Sequence, residues 1–201
     1  TISAIDLARA KAVERISVAL YPSSPAGTTP NALALSRDGT RLYAANADNN
    51  DVAVVDVARP GASRVLGFIP VGWYPTAVAV SPDGRTLYVA NGKGGQAGPN
   101  PRGPQPTVAR TRGTQHVAQM LVGTVSVVAF PDARRLAAYT RQVYANSPYS
   151  EKTRLAVPFS GSSAVPRRVG GKSPIRYVIY VIKENRTYDQ VFGDMPEGNG
   201  D

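Results

Sequence analysis

The first 130 residues show the alternation of short apolar runs and turn residues that is typical of β-strands. Apolar stretches such as 31–35, 51–57 and 64–71 are separated by clusters of Gly, Pro, Asp and Ser. Runs of this length between turn residues form strands more readily than helices. The sequence therefore predicts a mainly β structure with short connections.

A repeat of 45 residues organises this part of the chain. Residues 31–46 and 76–91 align without gaps, and each copy contains an apolar strand, a Ser-x-Asp-Gly turn and a second strand that ends in Asn. Gly39 and Gly84 tolerate the left-handed conformation that closes such a hairpin. With third and fourth strands at 51–57 and 64–71, each unit has four strands. One such sheet cannot bury both of its faces, so the units are expected to stack around an axis.

Weaker copies of the repeat extend it in both directions. Residues 2–7 are similar to 52–57, and residues 15–21 are similar to 68–74. The third strand of the next unit is predicted at 123–129, after an insertion at 92–122 that is too rich in Gly and Pro for a central strand. Tyr43, Tyr88 and Trp73 recur at repeat positions, where packing between units is expected.

This repeat resembles the YVTN-type β-propeller family, whose signature is similar to residues 81–91. The resemblance implies a partial β-propeller with four-stranded blades over residues 1–131. Because the visible blades are too few to close a ring, we interpret the chain as a fragment of a longer protein.

A helix and a linker are predicted over residues 132–173. Leu136, Tyr139 and Val143 recur on one helical face, and Asp132 is a suitable N-cap. The following stretch, 156–174, is rich in Gly, Pro and Ser and shows neither the helical nor the strand period.

A dense run of β-branched and aromatic residues at 174–182 predicts a strand that is buried on both faces, as in a parallel sheet covered by helices. Polar residues follow at once, beginning with Lys183, Glu184 and Asn185. A carboxylate next to an amide oxygen suits a divalent or trivalent cation. The alternative is that Asn185 or Thr187 caps a helix starting near Tyr188, with Glu184 in solvent.

Residues 175–193 resemble the opening of the phosphoesterase family that includes bacterial phospholipases C and acid phosphatases, within the alkaline-phosphatase superfamily. The resemblance implies an α/β phosphoesterase domain that starts at 174–201, a metal ion bound by Glu184 and Asn185, and a phosphoester substrate. It also implies a secreted or periplasmic protein. The family's nucleophile would lie beyond Asp201, so the chain alone is expected to be inactive. The alternative function is a non-catalytic propeller that binds or scaffolds a partner.

Composition and charge exclude several other functions. The chain has no Cys and a single histidine, His116, so thiolate sites and His-based triads cannot be formed from it. Residues 102–176 carry 12 Arg or Lys against two acidic residues. Because these charges lack interleaved aromatic residues, nucleic-acid binding is not expected. The sequence contains no run of 18 apolar residues, the length that would suggest a membrane-spanning helix. A propeller lactonase would need acidic or histidine clusters on the inner strands, which the sequence does not show.

Overall fold

The computed structural model describes residues 1–21, 24, 26–95, 120–147, 163–166, 170–182 and 188–197. The chain divides into two compact units, one of Thr1–Ala97 with Leu121–Pro148 and one of Gly98–Met120 with Tyr149–Asp201. All strands within the described ranges belong to the first unit. The domain limits expected at 131 and 173 stay predictions.

Three antiparallel sheets make up the first unit, and they confirm the expected mainly β, partial propeller architecture. The middle sheet has four strands in sequence order, as predicted for a complete blade. A short 3-10 helix at Ala47–Asn49 links two of its strands. The strands are β1 Ile2–Asp6 and β2 Lys11–Ile16 in the first sheet, β3 Pro30–Leu35, β4 Arg41–Asn46, β5 Asp51–Asp56 and β6 Arg64–Pro70 in the middle sheet, and β7 Pro75–Val80, β8 Thr86–Asn91 and β9 Thr124–Ala129 in the third sheet.

The repeat is visible in the turns as well as in the strands. In the first copy the Gly39 N–H donates to the Ser36 carbonyl at 2.9 Å, and the same bond of 2.9 Å joins Gly84 to Ser81 in the second. Both glycines have left-handed φ values, 70° and 72°. The register of β3 on β4 and of β7 on β8 is interrupted at equivalent positions, just after Pro30 and Pro75. The hairpin chemistry expected from the sequence is therefore confirmed.

The core consists of two apolar clusters, one on each face of the middle sheet. Successive side chains of a strand point to opposite faces, so neighbouring residues of β4 and β5 enter different clusters. The cluster against the first sheet contains Ile2, Ile16, Val18, Leu42, Ala44, Ala53, Val55, Phe68 and Val143. The cluster against the third sheet contains Tyr43, Val52, Val54, Ile69, Leu87, Val89 and Leu136.

The predicted helix is present as α1, Ala133–Asn146. Its N-cap is Asp132, whose carboxylate accepts a hydrogen bond of 2.7 Å from the Arg135 N–H. Leu136 and Val143 are buried against the middle sheet, as the helical period indicated. Thr140 fixes the helix to β6, because its hydroxyl accepts a hydrogen bond of 2.9 Å from the Phe68 N–H.

Gly67 lets α1 approach β6 closely. A Cβ at this position would collide with the Thr140 hydroxyl and would lie 3.0 Å from Leu136 Cγ. We therefore expect Gly67→Ala to lower the free energy of unfolding by about 1–3 kcal/mol, the usual cost of overpacking. Urea unfolding followed by circular dichroism measures the change. The control is Gly95→Ala, because an added Cβ there meets no atom within 4 Å; an equal loss in both variants would contradict the packing argument.

The strand expected at 174–182 is not formed. These residues take part in no sheet, and the side chains from Tyr177 to Ile182 are 74–90% exposed. A strand needs a neighbour for its backbone N–H and C=O groups, and the described part of the chain pairs none with this run. A short helix, α2 Tyr188–Phe192, follows, as the alternative of a helix starting near Tyr188 predicts. Among the helices that are described, none is long and apolar enough to cross a bilayer.

Candidate functional site

The two residues predicted as metal ligands, Glu184 and Asn185, lie outside the described residues, and so does Thr187. Their predicted roles therefore stay predictions. His116 and most of the insertion at 92–122 also lie outside the described ranges. Within those ranges, no three His, Cys, Asp or Glu side chains come together as a metal site would require.

The structure does bring together a buried polar pair that the sequence analysis missed. Asn46 ends β4 and Asp51 begins β5, so the two residues face each other across the hairpin. The Asn46 side-chain N–H group donates to the Asp51 carboxylate at 2.8 Å and to the Val18 carbonyl at 3.2 Å. Asp51 is completely buried. Burial raises the pKa of its carboxyl group to about 7, although the Asn46 hydrogen bond acts in the opposite direction.

Two oxygens of this pair have no hydrogen-bond partner among the described residues, Oδ1 of Asn46 and Oδ2 of Asp51. Burying an oxygen without a hydrogen-bond partner is costly for a neutral group and costs much more for a charged one. The pair therefore favours a protonated Asp51, in agreement with the direction of its pKa. The signal in the sequence was the Asn that ends the second strand of both repeat copies.

The second repeat copy has different partners at this position, and its Asn91 Oδ1 atom likewise has no partner among the described residues. Asn91 occupies the position of Asn46, but its side-chain N–H group donates to β9: to Thr124 Oγ1 at 3.2 Å, to Ser126 Oγ at 2.9 Å and to the Thr124 carbonyl at 3.5 Å. The shared Asn thus joins neighbouring strands in both sheets. An ionisable partner is present only in the middle sheet.

A cavity of about 350 Å³ lies between the middle sheet, the segment after β9 and the first turn of α1. Its polar side chains are Arg41 and Tyr43, both from β4. Tyr43 is stacked on Phe130, with ring centroids 5.0 Å apart and planes at 7°. Tyr43 thus packs between blades, as expected, and also lines an opening that the sequence did not indicate.

A family model described as "Lactonase, 7-bladed beta-propeller" matches residues 2–130. No curated protein matches the chain. The matched segment contains all the strands of the three sheets.

Three solved structures resemble parts of the chain. Hydrazine synthase of Kuenenia stuttgartiensis is 33% identical, over 44% of this chain and 22% of that one, with a TM-score of 0.35. A functionally unknown protein of Desulfotomaculum acetoxidans is 27% identical, over 33% and 21%, with a TM-score of 0.32. A Bacteroides uniformis protein proposed to be a 6-phosphogluconolactonase is 31% identical, over 30% and 18%, with a TM-score of 0.28. The chain thus covers about a fifth of the length of these proteins.

Proposed function

We propose that the blades of this chain, which belongs to the seven-bladed β-propeller lactonase family, position a substrate or partner for a metal-dependent phosphoesterase. The blades are residues 1–131, and the hydrolase would begin at residue 174. The observation that carries the proposal is the sequence of residues 175–193, which resembles the opening of the phosphoesterase family. The proposal includes a secreted or periplasmic location, which rests on the same resemblance.

Glu184 and Asn185 are the residues of this chain that would hold the metal ion. A carboxylate and an amide oxygen are hard ligands, so the donor set fits a divalent or trivalent cation. Such an ion, when bound, acts as a Lewis acid on a phosphoryl oxygen. The two residues would orient that site, and further ligands would be needed to complete it.

The charge distribution favours an anionic substrate. Residues 102–176 carry a surplus of ten positive charges, whereas the whole chain carries +9. A basic segment raises the local concentration of anions and speeds their association at low salt. This supports a phosphoester substrate without identifying it.

The family match favours a second candidate, hydrolysis of a lactone, although the described residues do not form the acidic or histidine cluster expected for that function. A non-catalytic propeller that binds or scaffolds a partner is the third possibility. Neither of these two functions requires Glu184 or Asn185. A substitution at Glu184 therefore separates the phosphoesterase from both.

We expect Glu184→Gln to lower phosphoester hydrolysis by the natural protein that contains this chain by at least ~100-fold, because even residues that only support metal ligands contribute 10–100-fold. The assay uses bis(4-nitrophenyl) phosphate and 4-nitrophenyl phosphate, with and without EDTA. A lactone substrate is assayed in parallel.

The matched control is Glu197→Gln, which removes an exposed carboxylate from the same region. Calorimetric titration with Mn²⁺ should show weaker binding in Glu184→Gln only. Unchanged hydrolysis in that variant would refute the ligand role. Hydrolysis of the lactone alone would favour the second candidate, and no hydrolysis of any substrate would favour the non-catalytic one.

A further inference from the structure

The cavity beside α1 combines apolar walls with two donor groups for which the described residues supply no acceptor. Its walls include Val54, Leu66, Phe130 and Leu136, which come from two strands, the segment after β9 and the helix. Its volume of about 350 Å³ falls within the range of small-molecule sites, roughly 300–1,000 Å³. The volume and the apolar lining are therefore compatible with a small, largely apolar molecule.

Arg41 supplies the positive charge at this cavity. Its side chain is exposed, and within the described ranges its guanidinium group makes no ion pair or side-chain hydrogen bond. The nearby acidic groups are already engaged. The Asp56 carboxylate, directly opposite Arg41 on β5, accepts a hydrogen bond of 3.1 Å from the Ala58 N–H. The Asp38 carboxylate accepts hydrogen bonds from Ser36 and Thr40, and the Asp132 carboxylate caps α1. Arg41 is thus available to an anion from solvent.

Tyr43 supplies a neutral donor next to Arg41. Only 6% of this residue is exposed, yet its hydroxyl group has no hydrogen-bond partner among the residues that the structure describes. Desolvation raises its pKa, so the hydroxyl keeps its proton at neutral pH. Unlike the buried Asn46 and Asp51 oxygens, the Tyr43 hydroxyl group reaches solvent within the cavity. At this position a bound molecule can provide the missing acceptor.

A comparison of the two repeat copies shows that the combination of Arg41 and Tyr43 occurs in only one of them. Position 41 of the first copy corresponds to Thr86 in the second, so the positive charge occurs in only one of the two copies. The second tyrosine, Tyr88, is 43% exposed and lies on the free face of the third sheet. Packing on Phe130 therefore accounts for Tyr43 but not for Arg41 near it.

We propose that this cavity binds a flat, apolar organic molecule that carries one anionic group. The anionic group contacts Arg41 and accepts a hydrogen bond from the Tyr43 hydroxyl, and the apolar body lies against Phe130, Leu66 and Leu136. Charge-assisted bonds of this kind are stronger than neutral ones. The inference does not depend on Glu184, Asn185 or the proposed phosphoesterase.

The probe for the test is 1-anilinonaphthalene-8-sulfonate, which has a flat apolar body and one sulfonate. We expect one saturable site on the 201-residue chain, with a blue shift of the dye emission. Arg41→Gln should raise the Kd about tenfold, because a hydrogen bond to a charged group contributes about that factor or more. Tyr43→Phe keeps the stacked ring and should raise the Kd by a smaller factor, about threefold.

Two controls make the test decisive. Arg15→Gln removes the same charge from an exposed position on β2 in the first sheet and should leave the Kd unchanged. N-phenyl-1-naphthylamine has a similar body without the sulfonate, and its Kd should not respond to Arg41→Gln. Equal weakening by Arg41→Gln and Arg15→Gln, or dye binding that neither cavity variant changes, would overturn the proposal. Near-UV circular dichroism verifies that each variant is folded.

Discussion

Replacing Asp51 by Asn is expected to raise the free energy of unfolding at pH 8 by roughly 3 kcal/mol, because it removes a buried group that must ionise at that pH. Burial raises the pKa of Asp51 from 3.8 to about 7. A pKa difference of one unit corresponds to about 1.4 kcal/mol. The shift therefore sets an upper bound of roughly 4 kcal/mol. The amide of the new Asn side chain also supplies an N–H donor to Asn46 Oδ1, which in the wild type has no partner among the described residues.

The sign of the pH dependence follows from the same shift. The folded state holds the Asp51 proton more tightly than the unfolded state, so this group favours folding fully below pH 4. That contribution is lost as the pH rises from about 4 through about 7, and it changes little above that range. Urea unfolding at pH 5, 6, 7 and 8 should show this decline in the wild type and a flatter profile in Asp51→Asn.

The control for this prediction is Asp56→Asn, at the opposite end of the same strand and only half-buried. It is expected to leave the decline between pH 5 and 8 in place. If Asp51→Asn were no more stable than the wild type at pH 8, the buried acid would not be the source of the pH dependence.

Leu87→Ala is expected to lower the free energy of unfolding by about 2–5 kcal/mol, the range for a buried Leu that leaves a cavity behind. Leu87 lies on β8, is fully buried, and belongs to the cluster between the middle and third sheets. Truncation removes contacts to both sheets at once. Thermal and urea unfolding measure the loss.

Leu35→Ala is the matched control, because this Leu on β3 is 56% exposed. Surface substitutions usually change stability by no more than about 0.5 kcal/mol. A similar loss in both variants would mean that the third sheet does not pack on the middle sheet as the structure describes.

The blades could be predicted from the sequence because they are encoded locally and twice. The Ser-x-Asp-Gly turns set each hairpin, and the offset of 45 residues places the next one. The α1 helix could also be predicted from the sequence, because Asp132 forms its N-cap and Leu136 and Val143 form its buried face. The run at 174–182 shows the limit of such reasoning. Its composition favours a strand, but a strand also requires a partner, which composition does not supply.

The polar sites were harder to foresee because they depend on contacts between distant residues. Asn46 and Asp51 are close in sequence, but their burial depends on Val18, 28 residues before Asn46. The cavity joins Arg41 to Leu136 across nearly a hundred positions. No periodic pattern in the sequence connects such distant residues. The cavity could therefore be recognised only from the packing of α1 on the blades. The metal site was inferred from resemblance and stays a prediction.

Among the three described sheets, the middle sheet has an apolar cluster on each face, so local fluctuations are expected to cost most there. Residues of β4 and β5 such as Ala44, Val52 and Val55 are completely inaccessible to solvent. Where repeated units stack on one another, each unit is stabilised by its contacts with the neighbouring units. Amide protons of β4 and β5 should therefore exchange last, and opening should proceed inward from the outer sheets. The rigidity of a blade therefore depends on the sheets that pack against it as well as on its own residues.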